Sequence, residues 1–192
     1  MRRLVMWNLQ TLDGYFDGAR PWDLDWHSTA WGDELEQLSL EQGKAIGTLL
    51  FGRATYQGMA GYWTQATGPT ADFMNAVPKV VFSHTLDAAD WNNTRLVRSD
   101  AADEVERLKR EPGEPGKDIF VFGSASLSDA LIRRGLFDEY RICLAPIVLG
   151  NGVPLFKPGN DRRRLKLLDS RALATGAIIL RYAPFEAGDG AR

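Results

Sequence analysis

The chain has 192 residues, enough for one sizeable domain, with Lys+Arg 23 against Asp+Glu 25 and a formal net charge of −2. That balance argues against nucleic acid as the main partner, because phosphate-backbone binding needs a basic face. One cysteine, Cys143, excludes an internal disulfide framework, and no apolar run reaches the length of a bilayer span.

Residues 2–9 read as a first strand whose apolar stretch ends at Asn8. There is no cleavage-site pattern, so this start is not a signal peptide, and a reduced lone cysteine fits the cytoplasm. Asp13-Gly14 and Asp17-Gly18 are turn dipeptides. The segment holding Trp22, Trp26 and Trp31 has no clean period and reads as a loop. Its indoles either form a lid, join a subunit interface or tuck against the core. From Gly32 a helix is predicted, with Leu35, Leu38, Gln42, Ala45 and Ile46 along one stripe and Gly47 at its end.

Thr48–Phe51 is a buried strand running straight into Gly52-Arg53-Ala54-Thr55-Tyr56, a strand–glycine–helix turn with a cation at the bend. Gly58–Gly68 reads as a loop, residues 70–77 as a short helix stopped by Pro78, and Lys79–His84 as a third strand. His27 and His84 each lack a second His or Cys nearby, so no metal centre is expected. A short strand over Thr94–Arg98 precedes a charged helix that Ser99-Asp100 caps and that runs to Arg110. Glu111–Gly116 is a loop-length break.

Ile119-Phe120-Val121-Phe122 is the most apolar strand, and Gly123 closes it. Small residues follow, then Leu127, Ala130 and Leu131 at helical spacing, with Ser126 and Asp129 as a predicted capping pair and Gly135 at the helix end. A strand, a tight small-residue turn and a helix N-terminus can receive a diphosphate on backbone N–H groups. The same pattern also serves as a plain connection. Two such turns in one chain point to a dinucleotide, and Arg53 can pair bidentately with phosphate. Phe137–Ala145 is a further strand, and Pro146–Phe156 an apolar loop with paired glycines. Arg162-Arg163-Arg164 reads as a solvated strand end. Residues 163–170 and 176–182 form an antiparallel hairpin, and the tail over residues 185–192 is small and polar and is expected to be disordered.

Taken together these pieces resemble the dihydrofolate reductase-like superfamily, and within it the reductase domain of riboflavin biosynthesis and its stand-alone bacterial relatives. The resemblance rests on Thr11-Leu12-Asp13-Gly14-Tyr15, Phe51-Gly52-Arg53-Ala54-Thr55-Tyr56, Lys79–Ser83, Phe120–Leu127, Gly135–Glu139 and Pro146–Phe156, in that order over nearly the whole chain. It implies an α/β fold: a central mixed, mostly parallel sheet flanked by helices, one domain over residues 1–184, with the C-terminal antiparallel hairpin. It also implies NADPH lying across the carboxyl ends of the strands. Gly52, Arg53 and Thr55, with Gly123, Ser124, Ala125, Ser126 and Leu127, would hold the phosphates, and Ser83 and His84 would sit near the adenosine. Asp13 would lie by the nicotinamide and substrate as the first candidate proton donor, with Asp33 the second. Gly150 would border the substrate pocket, and Trp31, Trp63 or Phe156 would stack on a planar substrate.

The chain departs from the superfamily in carrying Gly123-Ser124 where two glycines are common. No single carboxylate among Asp33, Glu34 and Glu36 marks itself as the folate-binding acid, and no lysine-rich ribose-phosphate site is present. Three functions are therefore weighed: an NADPH-dependent reductase of a small planar substrate, a non-catalytic nucleotide- or ligand-binding module, and dihydrofolate reduction proper. The Pro146–Phe156 loop and the indole segment offer surface for a homodimer.

Overall fold

The computed structural model describes residues 1–185. In chain order the elements are β1 Leu4–Thr11, β2 Tyr15–Asp17, α1 Asp33–Gly43, β3 Ile46–Gly52, α2 Arg53–Trp63, α3 Pro69–Ala76, β4 Lys79–Phe82 and β5 Thr94–Val97. They continue as α4 Ala101–Arg110, β6 Asp118–Phe122, α5 Ala125–Arg133, β7 Glu139–Ala145, β8 Val153–Pro154, β9 Leu165–Ala172 and β10 Ile178–Pro184. A 3-10 helix over Asp25–Thr29 lies between β2 and α1.

The sheet is eight-stranded, in the order β5-β4-β3-β6-β1-β7-β10-β9. The strands from β5 to β7 are parallel, and β10 runs antiparallel to both β7 and β9. This is the mostly parallel α/β fold with a C-terminal hairpin that the resemblance implies. Apolar residues on both faces of the central strands account for it, since a parallel sheet is stable when helices cover both sides. Val5, Trp7 and Leu9 of β1 pack with Leu35 of α1, Tyr56 of α2 and Met74 of α3. Leu4 and Met6 pack on the other side with Val105 and Leu108 of α4 and Leu131 of α5. Cys143 is fully buried in the first cluster, and burial pushes its thiol up to about 12.

Some boundaries differ from the sequence expectation. The first helix ends at Gly43, and Ile46 and Gly47 begin β3. The Ala45 carbonyl already accepts the Asp118 amide, so the chain has joined the sheet before Gly47. Helix α2 runs through Gly58 and Gly61, where a loop was predicted. Gly58 seats the indole of Trp22, and a Cβ there would stand 2.3 Å from the ring. Ser126 and Asp129 do not form a capping pair. Ser124 is the N-cap of α5, Ser126 accepts from Lys157, and Asp129 receives Arg133 and Asn160. Gly135 does end the helix in the left-handed conformation, at φ +66. Of the predicted polar tail, Phe185 donates its N–H to Arg164, and residues 186–192 lie outside the described residues.

The amino edge of the parallel strands holds buried charge. Lys79, 1% exposed, donates to the carbonyls of Met74, Asn75 and Val77 at the end of α3 and lies 4.5 Å over the Trp91 ring. Burial pushes its ammonium down to about 8. Glu139 receives Arg3, Arg141 and Arg181 at 3.2, 2.6 and 2.7 Å. Burial works to raise its pKa, but the guanidinia of Arg141 and Arg181 hold the carboxyl below its ordinary range. Arg3 also meets Asp118, and Lys109 meets Asp138.

Candidate functional site

The glycine turns stand side by side because β3 and β6 are neighbours in the sheet. Each fixes the other. Gly52 N–H donates to Ser124 Oγ at 2.6 Å, and Ser124 N–H donates to Thr55 Oγ1 at 3.0 Å. Gly123 N–H donates at 2.7 Å to Oδ1 of Asn8, a buried residue of β1. Gly123 and Ser124 are both left-handed, at φ +63 and +57. A Cβ at position 123 would stand 2.8 Å from Thr55 and 3.1 Å from Phe16, so glycine is required there.

These ties hold the helix N-termini open. Neither α2 nor α5 has a side-chain cap, so their first-turn N–H groups and positive dipole ends face the carboxyl edge of the sheet. Arg53 donates to the Thr85 hydroxyl at 2.7 Å, and Lys157 donates to the Ser126 hydroxyl at 2.8 Å. Among the described residues neither cation has a carboxylate within ion-pair distance. The loop after β4 is tied down beside Arg53. Ser83 Oγ accepts from the N–H groups of Thr85 and Leu86, and Arg98 donates to the carbonyls of His84, Leu86 and Asp87. The His84 side chain itself is exposed.

Asp13 follows β1 and anchors the apolar loop. Its Oδ1 accepts from the Thr11 hydroxyl at 2.6 Å and from Leu149 N–H at 3.2 Å, and its Oδ2 accepts from Gly150 N–H at 2.7 Å. The Thr11 hydroxyl first, then the Gly150 and Leu149 amides, hold the carboxyl below its ordinary range. A strap then crosses the edge. β2 pairs with β8, Phe16 lies against Gly123, and the Asp17 carboxylate accepts from the N–H groups of Gly18, Trp22 and Asp23. Trp22 ends the strap on α2, left-handed at φ +61.

The other predicted residues fall in separate places. Asp33 opens α1, exposed, and lines a pocket of about 350 Å³ with Gly32, Leu35, Leu173 and Thr175. Trp31, half-exposed, precedes it, while Glu34 of the same turn binds Arg171 and the Ala174 amide. Phe156 is half-exposed and adjoins Lys157. Trp63 is not brought to the turns: it ends α2, about 16 Å of helix away from Gly52, with its Nε1 on Met59 Sδ. Trp26 is core, not lid, at 5% exposure. Its neighbour His27 is pushed down to about 4 by burial. A larger cavity, about 650 Å³, lies at the amino edge among Arg2, Lys79, Trp91, Arg95 and Arg107. Its arginines Arg95 and Arg107 are paired with Glu104 and Glu111, so it is the less suitable place for an anion.

Sequence reasoning missed Asn8, Lys157, Thr85, Arg98 and Phe16. Asn8 had a signal, a polar residue interrupting the apolar run of a central strand. Lys157 had none, since its partner Ser126 lies 31 residues away.

The described helices include none long and apolar enough to cross a membrane. The chain is 31% identical to the uncharacterized protein YyaP of Bacillus subtilis over 190 residues, 94% of each chain. It is 25% identical to YwjB of the same organism, over 94% of this chain and 97% of that protein. Its fold matches a putative riboflavin biosynthesis protein from Shewanella sp. PV-4, with a TM-score of 0.75 at 21% identity over 97% of this chain and all of that one. It also matches the diaminohydroxyphosphoribosylaminopyrimidine deaminase/5-amino-6-(5-phosphoribosylamino)uracil reductase of Thermotoga maritima, with a TM-score of 0.67 at 15% identity over 96% of this chain and 57% of that one. The RibD C-terminal domain family matches residues 2–179, and the chain belongs to that family.

Proposed function

We propose that the protein is an NADPH-dependent reductase that transfers hydride to a small planar heterocyclic or carbonyl substrate. The observation that carries this reading is a pair of cations, Arg53 and Lys157, bonded only to hydroxyls beside the uncapped N-termini of α2 and α5. Such a place suits a diphosphate. The N–H groups of Ala125, Ser126 and Leu127, with Arg53 and the first turn of α2, would hold the phosphates. Ser83, His84 and Thr85 would border the adenosine end. When bound, NADPH supplies the hydride. The Thermotoga maritima relative is named for reduction of a uracil, which supports a planar substrate class.

The chain's own contribution is positioning. Asp13, held ionised by three hydrogen bonds, is a poor reservoir for a proton. It fixes the Leu149–Gly150 loop along the substrate site and can orient a water that delivers the proton. Asp33, at the mouth of the smaller pocket beside Trp31, is the second candidate. The protein acts in the cytoplasm on a small molecule, as a homodimer.

Calorimetric titration with NADPH and NADH tests the reading. NADPH is expected to bind more tightly than NADH, and Arg53→Ala to weaken NADPH binding about 10- to 100-fold through loss of a charge-assisted contact. If neither nucleotide binds at millimolar concentration, the reductase reading falls. The ionised Asp13 favours one alternative, a module that binds nucleotide without turning it over. Tight NADPH binding with no consumption across a panel of planar substrates would select it.

A further inference from the structure

The larger cavity, at the amino edge, is lined by a guanidinium that the fold leaves unpaired, that of Arg2. The arginines around it each have a carboxylate. Arg3 meets Asp118 and Glu139, Arg95 meets Glu104, and Arg107 meets Glu104 and Glu111. Arg2 has none within ion-pair distance among the described residues. Its Nη2 donates to the hydroxyl of Thr48 on β3, its Nε is buried without a partner, and its Nη1 has no partner among the described residues. The side chain is held in place all the same. Arg2 N–H donates at 3.0 Å to the Lys109 carbonyl in the last turn of α4. The stem passes Gly113 so closely that a Cβ there would stand 2.8 Å from Cδ and 3.0 Å from Nε. Burial is the largest influence on this guanidinium and pushes it below its ordinary range, while Glu111 and Asp118, spent on Arg107 and Arg3, offset only part of that. An arginine does not escape the cost by losing its proton at physiological pH. A charge drawn out of water without a counter-ion is costly, and an anion placed against it offsets that cost.

We infer that this cavity is a second ligand site, in which Arg2 receives the single oxyanion of a small organic molecule, a carboxylate or a phosphate monoester. The other cations of the wall have no capacity left for it. Lys79 spends its three N–H groups on the carbonyls of Met74, Asn75 and Val77, and Arg95 and Arg107 are taken by their carboxylates. One open guanidinium suits one oxyanion group and not a diphosphate, so this site and the carboxyl edge differ in what they can take. The rest of the wall describes the body of the ligand. Asn92 and Asn93 donate to the carbonyls of Asn75 and Ala76, which leaves their side-chain oxygens as acceptors. Asp90, exposed, is the lining carboxylate without a cation. Acceptors beside a lone cation call for a molecule that carries hydroxyl donors as well as its anionic group. The volume, about 650 Å³, is that of a site for such a molecule and exceeds the needs of a bare ion. The two sites are also separate in space: Thr48 and Gly52 lie at opposite ends of β3, about 13 Å apart along the strand.

Calorimetric titration of the full chain with glycerol phosphate and with glycerate tests this, the pair separating a phosphate from a carboxylate on the same kind of body. At least one of them is expected to bind at a site that survives Arg53→Ala. In Arg2→Gln, which keeps a polar side chain beside Gly113 and Thr48 but not the charge, the affinity of that site is expected to fall about 10- to 100-fold. Crystals of the wild type soaked in either compound give a second reading that needs no variant, and density on the Arg2 guanidinium supports the site even if Arg2→Gln fails to fold. No binding of either compound at millimolar concentration would overturn the inference. So would binding that Arg53→Ala removes and Arg2→Gln leaves intact, or density only beside Arg53 and Lys157. None of these outcomes depends on whether NADPH binds.

Discussion

The two edges of the parallel sheet use their cations differently. At the amino edge, ions meet ions. Glu139 collects three guanidinia, Lys109 meets Asp138, and Lys79 is closed off by three carbonyls and an indole. At the carboxyl edge neutral groups hold the glycine turns. Asn8, Thr55 and Ser124 clamp the glycine turns, and the cations Arg53 and Lys157 touch only hydroxyls. Helix C-termini converge on the first edge and helix N-termini on the second. Cations at the first edge therefore neutralise helix carbonyls. Cations at the second edge stand beside positive helix ends, and no carboxylate lies within ion-pair distance of Arg53 or Lys157 among the described residues. At the carboxyl edge, the cations without a carboxylate partner mark the place proposed for a ligand.

Three variants break or sharpen that division. Glu139→Ala takes the carboxylate from Arg141 and Arg181, while Arg3 keeps Asp118, and should cost about 3–5 kcal/mol of stability in urea unfolding, while the NADPH dissociation constant stays within twofold. Next comes acid. Burial keeps folded His27 neutral down to about 4, whereas the unfolded imidazole takes a proton near 6.5. The unfolded chain thus binds the extra proton between those values. Stability should fall as pH drops through that window, by roughly 3 kcal/mol, and His27→Phe should flatten this part of the profile. The smallest stability effect belongs to Asn8→Ala, about 1–3 kcal/mol for an amide left unpaired, yet it should weaken NADPH binding where Glu139→Ala does not. If Asn8→Ala leaves binding intact and Glu139→Ala abolishes it, the roles of the two edges have been assigned the wrong way round.

Most strands and both glycine turns were legible because their signals are local. Runs such as Ile119–Phe122 have no other use than a sheet covered on both faces, and Gly123 stands where a left-handed turn must follow. What was not legible depends on distant partners. Gly58 and Gly61 read as a loop because glycine is a poor helix former, but the seat for Trp22 overrides propensity. Ser126 and Asp129 have capping chemistry, but Lys157, Asn160 and Arg133 claim their side chains. Asp13 was legible as a turn residue. Its three hydrogen bonds, which keep it ionised, come in part from a loop 136 and 137 residues further on.

The Asn8 clamp also sets the order in which this molecule can be made. The residue that holds Gly123 lies 115 positions earlier, and the Ser124 turn is tied to partners 69 and 72 positions away. Loops of that length close late, after the local helices have formed, because nonlocal pairing carries the larger entropic cost. A nascent chain that has not yet emerged past Ser124 can hold most of its helices and its first strands. It cannot hold the geometry of the turns. The turns take their geometry only when β1, β3 and β6 have come together.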